Sequence, residues 1–268
     1  MLVPRVIPVL LLRGRGLVKG VRFKKHVYVG DPMNAVRIFD DKEVDELLIL
    51  DITATAEGRT PPLDLIERVA DQCLMPFGVG GGVTRVSEAR DILSAGAEKI
   101  CLNTAALEQP DIVSRLADAF GRQSVVVCLD VKKSWTGRRE VVSRCAGRKL
   151  SGDVAQAARD MAARGAGELI VQSVDRDGTM EGYDIELTRA VSRAVDVPVI
   201  ALGGAGSNED LRRVLTEGEA AAAAAGSLFV FHGPRRAVLI TYPDKAELEA
   251  IRGTTTHRNQ QYEWDCAT

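Results

Sequence analysis

Histidine is scarce in this chain. Its three copies, His26, His232 and His257, lie far apart in 268 residues. That is thin material for an imidazole-rich zinc site, so no metal and no cofactor are expected. The five cysteines, Cys73, Cys101, Cys128, Cys145 and Cys266, form no CxxC pair. Three of them sit in apolar runs and read as reduced, buried thiols, which points to the cytoplasm. Neither sign of charge dominates. A net charge of −2 gives no long-range field favouring nucleic acid or an anionic membrane. No apolar run is long enough to span a bilayer. The N-terminal run Val6–Leu12 reads as a first strand, and no small-residue cleavage site follows it.

What the chain does have is glycine at strand ends. Phe77-Gly-Val-Gly-Gly-Gly-Val83 closes an apolar run with three glycines, and Thr84 then opens a helical pattern. Such a joint lets backbone N–H groups approach an anion without a Cβ in the way, and the following helix adds partial positive charge. Ile200-Ala-Leu-Gly-Gly-Ala-Gly206 repeats the pattern, with Gly204 lying 122 residues after Gly82 (204 − 82). Short apolar runs predict strands at Val6–Leu11, Glu46–Ile52, Met75–Val79, Lys99–Leu102, Ser124–Asp130, Glu168–Ser173, Val197–Ala201 and Ala220–Ala224. Amphipathic segments predict helices at Asn34–Asp40, Pro62–Gln72, Arg85–Ala95, Pro110–Phe120, Asp153–Arg164, Asp184–Ala194 and Asn208–Thr216. Eight strands alternating with helices predict an α/β fold, a (β/α)8 TIM barrel built from two duplicated (β/α)4 halves. A doubly wound open sheet is the alternative. The barrel occupies residues 1–252 as one domain, and a polar C-terminal tail runs from 253 to 268.

Two regions break the pattern. Gly14–Asp31 is long and basic for a first βα loop and would lie over the active face as a lid. After Ser227, two apolar pieces flank His232-Gly-Pro-Arg-Arg236, poor material for a long eighth helix, so the eighth unit is expected to be irregular. Candidate chemistry falls at the strand ends. Asp130 ends a buried run, where a barrel carboxylate reads as catalytic. Asp51, Asp175 and Asp177 hold comparable places. Gly178 sits in a turn whose N–H could meet phosphate, and Asn103, Thr104, Gly226 and Ser227 could add donors to two opposed phosphate grips. A ligand with a phosphate at each end is expected.

The motifs together resemble the cyclase subunit of imidazole glycerol phosphate synthase. They include Arg5-Val-Ile-Pro8, Val18-Lys-Gly20, Leu50-Asp-Ile-Thr-Ala54, Val79-Gly-Gly-Gly82, Asn103-Thr-Ala-Ala106 and Ser173-Val-Asp-Arg-Asp-Gly-Thr179, and the likeness runs over about residues 1–232. The resemblance implies a glutaminase partner whose ammonia passes along the barrel axis to a substrate phosphorylated at both ends. It implies one grip at Gly82, Asn103 and Thr104 and a second at Asp177, Gly178, Gly204 and Ser227. Lys19 would be the lid lysine. Arg5, Glu46, Lys99 and Glu168 would form a salt-bridged gate where ammonia enters.

One departure stands out. The family uses an aspartate pair on the first and fifth strands as general acid and base. Asp130 is present, but Leu11 holds the other position, and leucine cannot move a proton. Each such group contributes about 10²–10⁴-fold, so cyclase activity is expected to fall by at least roughly two orders of magnitude. Gln172, where the family commonly has threonine, is a second difference on the active face. Val9-Leu-Leu-Leu12, Arg15-Gly-Leu-Val-Lys19 and the stretch Ala225–Pro243 resemble a paralogous group serving bacterial surface polysaccharide (lipopolysaccharide, O-antigen) synthesis. That group works with a glutaminase and an ATP-using sugar amidotransferase to form acetamidino sugars. The alternatives are a working cyclase of histidine biosynthesis, with Asp51 or Asp177 replacing the missing acid, and a non-catalytic phosphate-ligand-binding scaffold.

Overall fold

The computed structural model describes residues 3–143, 148–150, 153–233 and 235–253. Its strands, in chain order, are β1 (Arg5–Arg13), β2 (Gly16–Val21), β3 (Lys24–Gly30), β4 (Leu47–Asp51), β5 (Phe77–Gly80), β6 (Lys99–Leu102), β7 (Val125–Lys133), β8 (Arg139–Ser143), β9 (Arg148–Leu150), β10 (Glu168–Ser173), β11 (Val199–Leu202), β12 (Ala222–Ala225), β13 (Phe231–His232) and β14 (Ala237–Val238). β1, β4, β5, β6, β7, β10, β11 and β12 pair in parallel in that order, and β12 returns to β1, closing a (β/α)8 barrel. Near-continuous Val, Ile and Leu runs form these strands because both faces are buried.

Helices α1 (Pro32–Asp41), α2 (Leu63–Ala70), α3 (Val86–Ser94), α4 (Thr104–Glu108), α5 (Asp111–Phe120), α6 (Val154–Ala163), α7 (Ile185–Ser192), α8 (Asn208–Thr216), α9 (Ser227–Val230) and α10 (Lys245–Arg252) complete the chain. The longer helices cover the barrel through apolar stripes, such as Ile112, Val113 and Leu116 of α5. No helix among the described residues is long and apolar enough to cross a membrane.

The structure refines two expectations. The basic first loop is an antiparallel hairpin, β2–β3, extending β1 through Leu11↔Val18. The eighth unit is irregular over α9 and the β13–β14 hairpin, but an eighth helix does follow as α10. Its start is fixed by a reciprocal cap: Asp244 accepts from the Glu247 N–H at 2.9 Å, and Glu247 accepts from the Asp244 N–H at 2.8 Å. Gly253, at φ 68°, ends it in the left-handed conformation. The rest of the predicted tail, residues 254–268, lies outside the described residues, as do Cys145, His257 and Cys266.

Inside the barrel lies a separate apolar cluster that includes Ile7, Val9, Leu48, Val126, Ile170 and Ile200. Glycines let neighbours lean inward. A Cβ on Gly80 would lie 2.8 Å from Leu50 Cδ2, and one on Gly78 would lie 3.2 Å from Leu48 Cδ1.

Candidate active site

At the C-terminal ends of the strands, two unequal hollows hold the expected site residues. The larger, about 630 Å³, lies over β4, β5, β6 and β7 and is lined by Asp51, Gly82, Asn103, Thr104 and Asp130. The smaller, about 30 Å³, is lined by Lys19, Asp177, Gly178, Gly204, Gly226 and Ser227. Leu11 and Gln172 line both. The residues of the two expected phosphate grips are thus brought together as two groups, one in a wide hollow and one in a narrow one.

Each grip depends on glycine. Gly82 sits at φ +67°, and a Cβ there would lie 1.8 Å from the Arg59 carbonyl oxygen. Gly204 sits at φ +114°, with a Cβ position 2.2 Å from the Gly182 carbonyl. No side chain fits either place. In the wide hollow, the Gly82 N–H donates to Thr55 Oγ1 at 3.1 Å. Asn103 Nδ2 donates to the Cys128 carbonyl at 2.9 Å, which fixes the Asn103 side chain across two strands.

At the narrow hollow, the β2–β3 hairpin is clamped down. Lys19 is buried and its Nζ donates to the Val9 carbonyl at 2.5 Å. Burial lowers its pKa to about 8, with the Asp177 charge pulling the other way. Burial likewise raises the Asp177 carboxyl above the ordinary range, opposed by the Phe23 N–H, Lys19, His26 and Gln172. The Phe23 N–H donates to Asp177 Oδ2 at 3.2 Å, and the Arg22 N–H donates to the Asp177 carbonyl at 2.9 Å.

Asp130 is buried within β7, not at its end as expected, because Val131–Lys133 run on into the pairing with β8; it stands in register with Gln172 of β10. The Cys128 thiol points at both, 3.6 Å from Asp130 Oδ1 and 3.9 Å from Gln172 Oε1. Burial, then the Asp130 charge, pushes the Cys128 and Cys101 thiols up, Cys101 to about 12. Both stay protonated near neutrality and are no nucleophiles. Across the barrel, Leu11 stands in register with Leu50.

Asp51 is tied up by its own loop. Oδ1 accepts from the Thr53 N–H at 3.0 Å and the Ala54 N–H at 3.1 Å, and Arg59 Nη1 reaches Oδ2 at 2.6 Å. Both oxygens serve the turn that backs Gly82, a poor arrangement for carrying protons. Arg59 and Thr55 went unnoticed in the sequence. The Asp51-x-Thr53 spacing of a side-chain-capped turn was the available signal for the loop, while Arg59 carried none.

At the opposite face the four expected gate residues form a closed ring. Arg5 pairs with Glu46 and, at 2.7 Å, with Glu168. Lys99 reaches Glu46 at 2.9 Å and Glu168 at 3.1 Å. Burial works to lower the Arg5 pKa, but the charges and hydrogen bonds of Glu168 and Glu46 outweigh it and hold it raised.

The histidine biosynthesis protein family matches residues 5–234. Over 232 residues the chain is 49% identical to the imidazole glycerol phosphate synthase subunit HisF of Caulobacter vibrioides, covering 86% of this chain and 89% of that protein. The chain belongs to the HisF family. It is also 48% identical over 245 residues to a Pseudomonas aeruginosa protein provisionally named imidazole glycerol phosphate synthase subunit hisF2, covering 91% and 98% of the two chains. A provisionally named HisF of Leptospira borgpetersenii is 45% identical over 252 residues, covering 94% and 99%. The larger hollow, which Asp130 lines, opens at the C-terminal face, the face on which barrels of this architecture carry their active sites.

Proposed function

We propose that this HisF-family chain is the barrel subunit of a glutamine-dependent amidotransferase of the cytoplasm. A glutaminase docks at the salt ring, and ammonia crosses the barrel to the C-terminal face. From there it passes to an ATP-using sugar amidotransferase that builds acetamidino sugars for surface polysaccharide. The ring Arg5–Glu46–Lys99–Glu168 serves as the entry gate. The grips at Gly82, Asn103 and Thr104 and at Asp177, Gly178, Gly204, Gly226 and Ser227 hold phosphate. Asp130 is the remaining proton carrier.

One observation carries this reading. The ring is complete, while the proton-transfer layer is half apolar: Leu11 faces Leu50 where the other half has Asp130 facing Gln172. Ammonia delivery needs the first and not the second. The test is transfer of ¹⁵N from amide-labelled glutamine to the sugar acceptor in the assembled complex. Lys99→Ala or Glu168→Ala should cut transfer from glutamine while leaving transfer from ammonium salt intact. Full glutamine efficiency in both variants would sink the gate.

A second reading, a working cyclase of histidine biosynthesis, is favoured by the buried meeting of Asp177, Lys19 and Gln172 beside Leu11. Asp177 would then replace the missing acid. Growth of a cyclase-deficient bacterium on this gene, lost with Asp177→Asn, would support it; no growth would remove it.

A further inference from the structure

Three hairpins rise from the C-terminal face and meet on one turn. From β2–β3, Arg22 Nε donates to the Asp175 carbonyl at 2.9 Å, and the Phe23 N–H reaches Asp177. From β7–β8, the Lys133 N–H donates to Asp175 Oδ2 at 2.7 Å. From β13–β14, Arg236 donates to the Gly178 carbonyl. The stretches 13–30, 131–139 and 231–242 contain none of the chain's 37 aspartates and glutamates; in the rest of β8, Glu140 stands opposite Lys132. The near-neutral total therefore hides a segregated charge. Arg13, Lys24, Lys25, Lys132, Arg138 and Arg235 are exposed and make no ion pair among the described residues. Apolar groups stand among them: Trp135 is 98% exposed, Tyr28 69%, Val27 53%, Leu239 52% and Val238 50%.

We propose that these hairpins form a docking surface for an acidic protein face, that of the ammonia-accepting amidotransferase. The inference rests on the functional reading above and adds where that partner sits. Exposed Trp and Tyr beside Arg have the composition of protein interface centres, and the lysines around them form a charged rim that favours a partner of opposite sign. The placement argues against a flat anionic bilayer. Trp135 lies at a hairpin turn, but Val27 and Tyr28 lie back along β3, opposite Lys19 and Val18, and Val238 lies opposite Phe231. A contoured protein surface reaches all of them. The location also fits the chemistry. The larger hollow is open, and neutral ammonia released there would escape into water unless the accepting enzyme covered it.

The experiment measures binding of purified amidotransferase to the barrel–glutaminase complex, with wild type, Trp135→Ser and the double variant Lys132→Glu/Arg138→Glu. Trp135→Ser should weaken binding by about 30-fold, the loss typical of a central aromatic anchor. The charge reversals should weaken it further and flatten its salt dependence. Unchanged glutaminase binding at the far face verifies the fold of each variant. Association unaffected by either variant overturns the surface assignment alone. No association with wild type, together with no ¹⁵N reaching the acceptor, overturns the functional reading as well. Tighter binding to phosphatidylcholine–phosphatidylglycerol vesicles than to the amidotransferase overturns the choice of partner.

Discussion

The two halves of the barrel match at the bottom and differ at the top. Glu46 and Glu168 stand one repeat apart (168 − 46 = 122) and share the same two cations in the salt ring. Four residues further along each strand, the pair Leu11 and Leu50 in the first half answers Asp130 and Gln172 in the second. The glycines of the two groups recur, yet one hollow is wide and the other is narrow, with Lys19 in its lining. The two halves share what the backbone requires, positive φ and close approach, and differ in the side chains at Leu11 and Asp130. On the proposed reading, the fold tolerates that difference because the barrel interior packs an apolar side chain readily.

The comparison can be broken most severely by making the second half apolar too. Asp130→Leu with Gln172→Leu should lower whatever ring closure remains by about 100-fold or more, measured with ammonium salt and the nucleotide substrate. An unchanged residual rate would move the proton carrier elsewhere, with Asp177 the first candidate. Next come the grips. Gly82→Ala and Gly204→Ala each force a Cβ into a carbonyl and should weaken binding of a singly phosphorylated ligand by at least about tenfold at their own grip only. Titration calorimetry reads this, and equal loss at both grips from either variant would deny their independence. The smallest effect concerns pH. Lys19 has a folded pKa of about 8, so it is charged below that value and neutral above it. Phosphate affinity at the narrow hollow should fall severalfold as pH rises from 7 to 9, and Lys19→Met should abolish the dependence. Affinity that rises over this range would contradict the assignment.

Much of this was legible in the sequence. The eight barrel strands and seven of the surrounding helices follow from apolar runs and helical spacing, and the glycine echo marked the two strand ends that the structure places beside the two hollows. The four residues that the family resemblance grouped as a gate meet in the structure as a ring of ion pairs. The unequal hollows were not legible, because they depend on where the β2–β3 hairpin docks. That position is set by long-range bonds from Arg22, Phe23 and Arg236 to the 175–178 turn. The eighth helix was missed because its signal is a short cap, Asp244 to Glu247, with only Leu248 and Ile251 buried. The basic face was hidden by the near-zero net charge, since composition averages over a molecule whose charge is segregated by loop.

The account turns on Leu11, and the most direct measurement compares the wild-type chain with Leu11→Asp for ring closure driven by ammonium salt. Restoring a carboxylate opposite Asp130 should raise the rate by at least about 100-fold. Equal rates for the two proteins, at the level of a complete acid/base pair, would contradict the claim that this barrel has given up half of its proton-transfer layer.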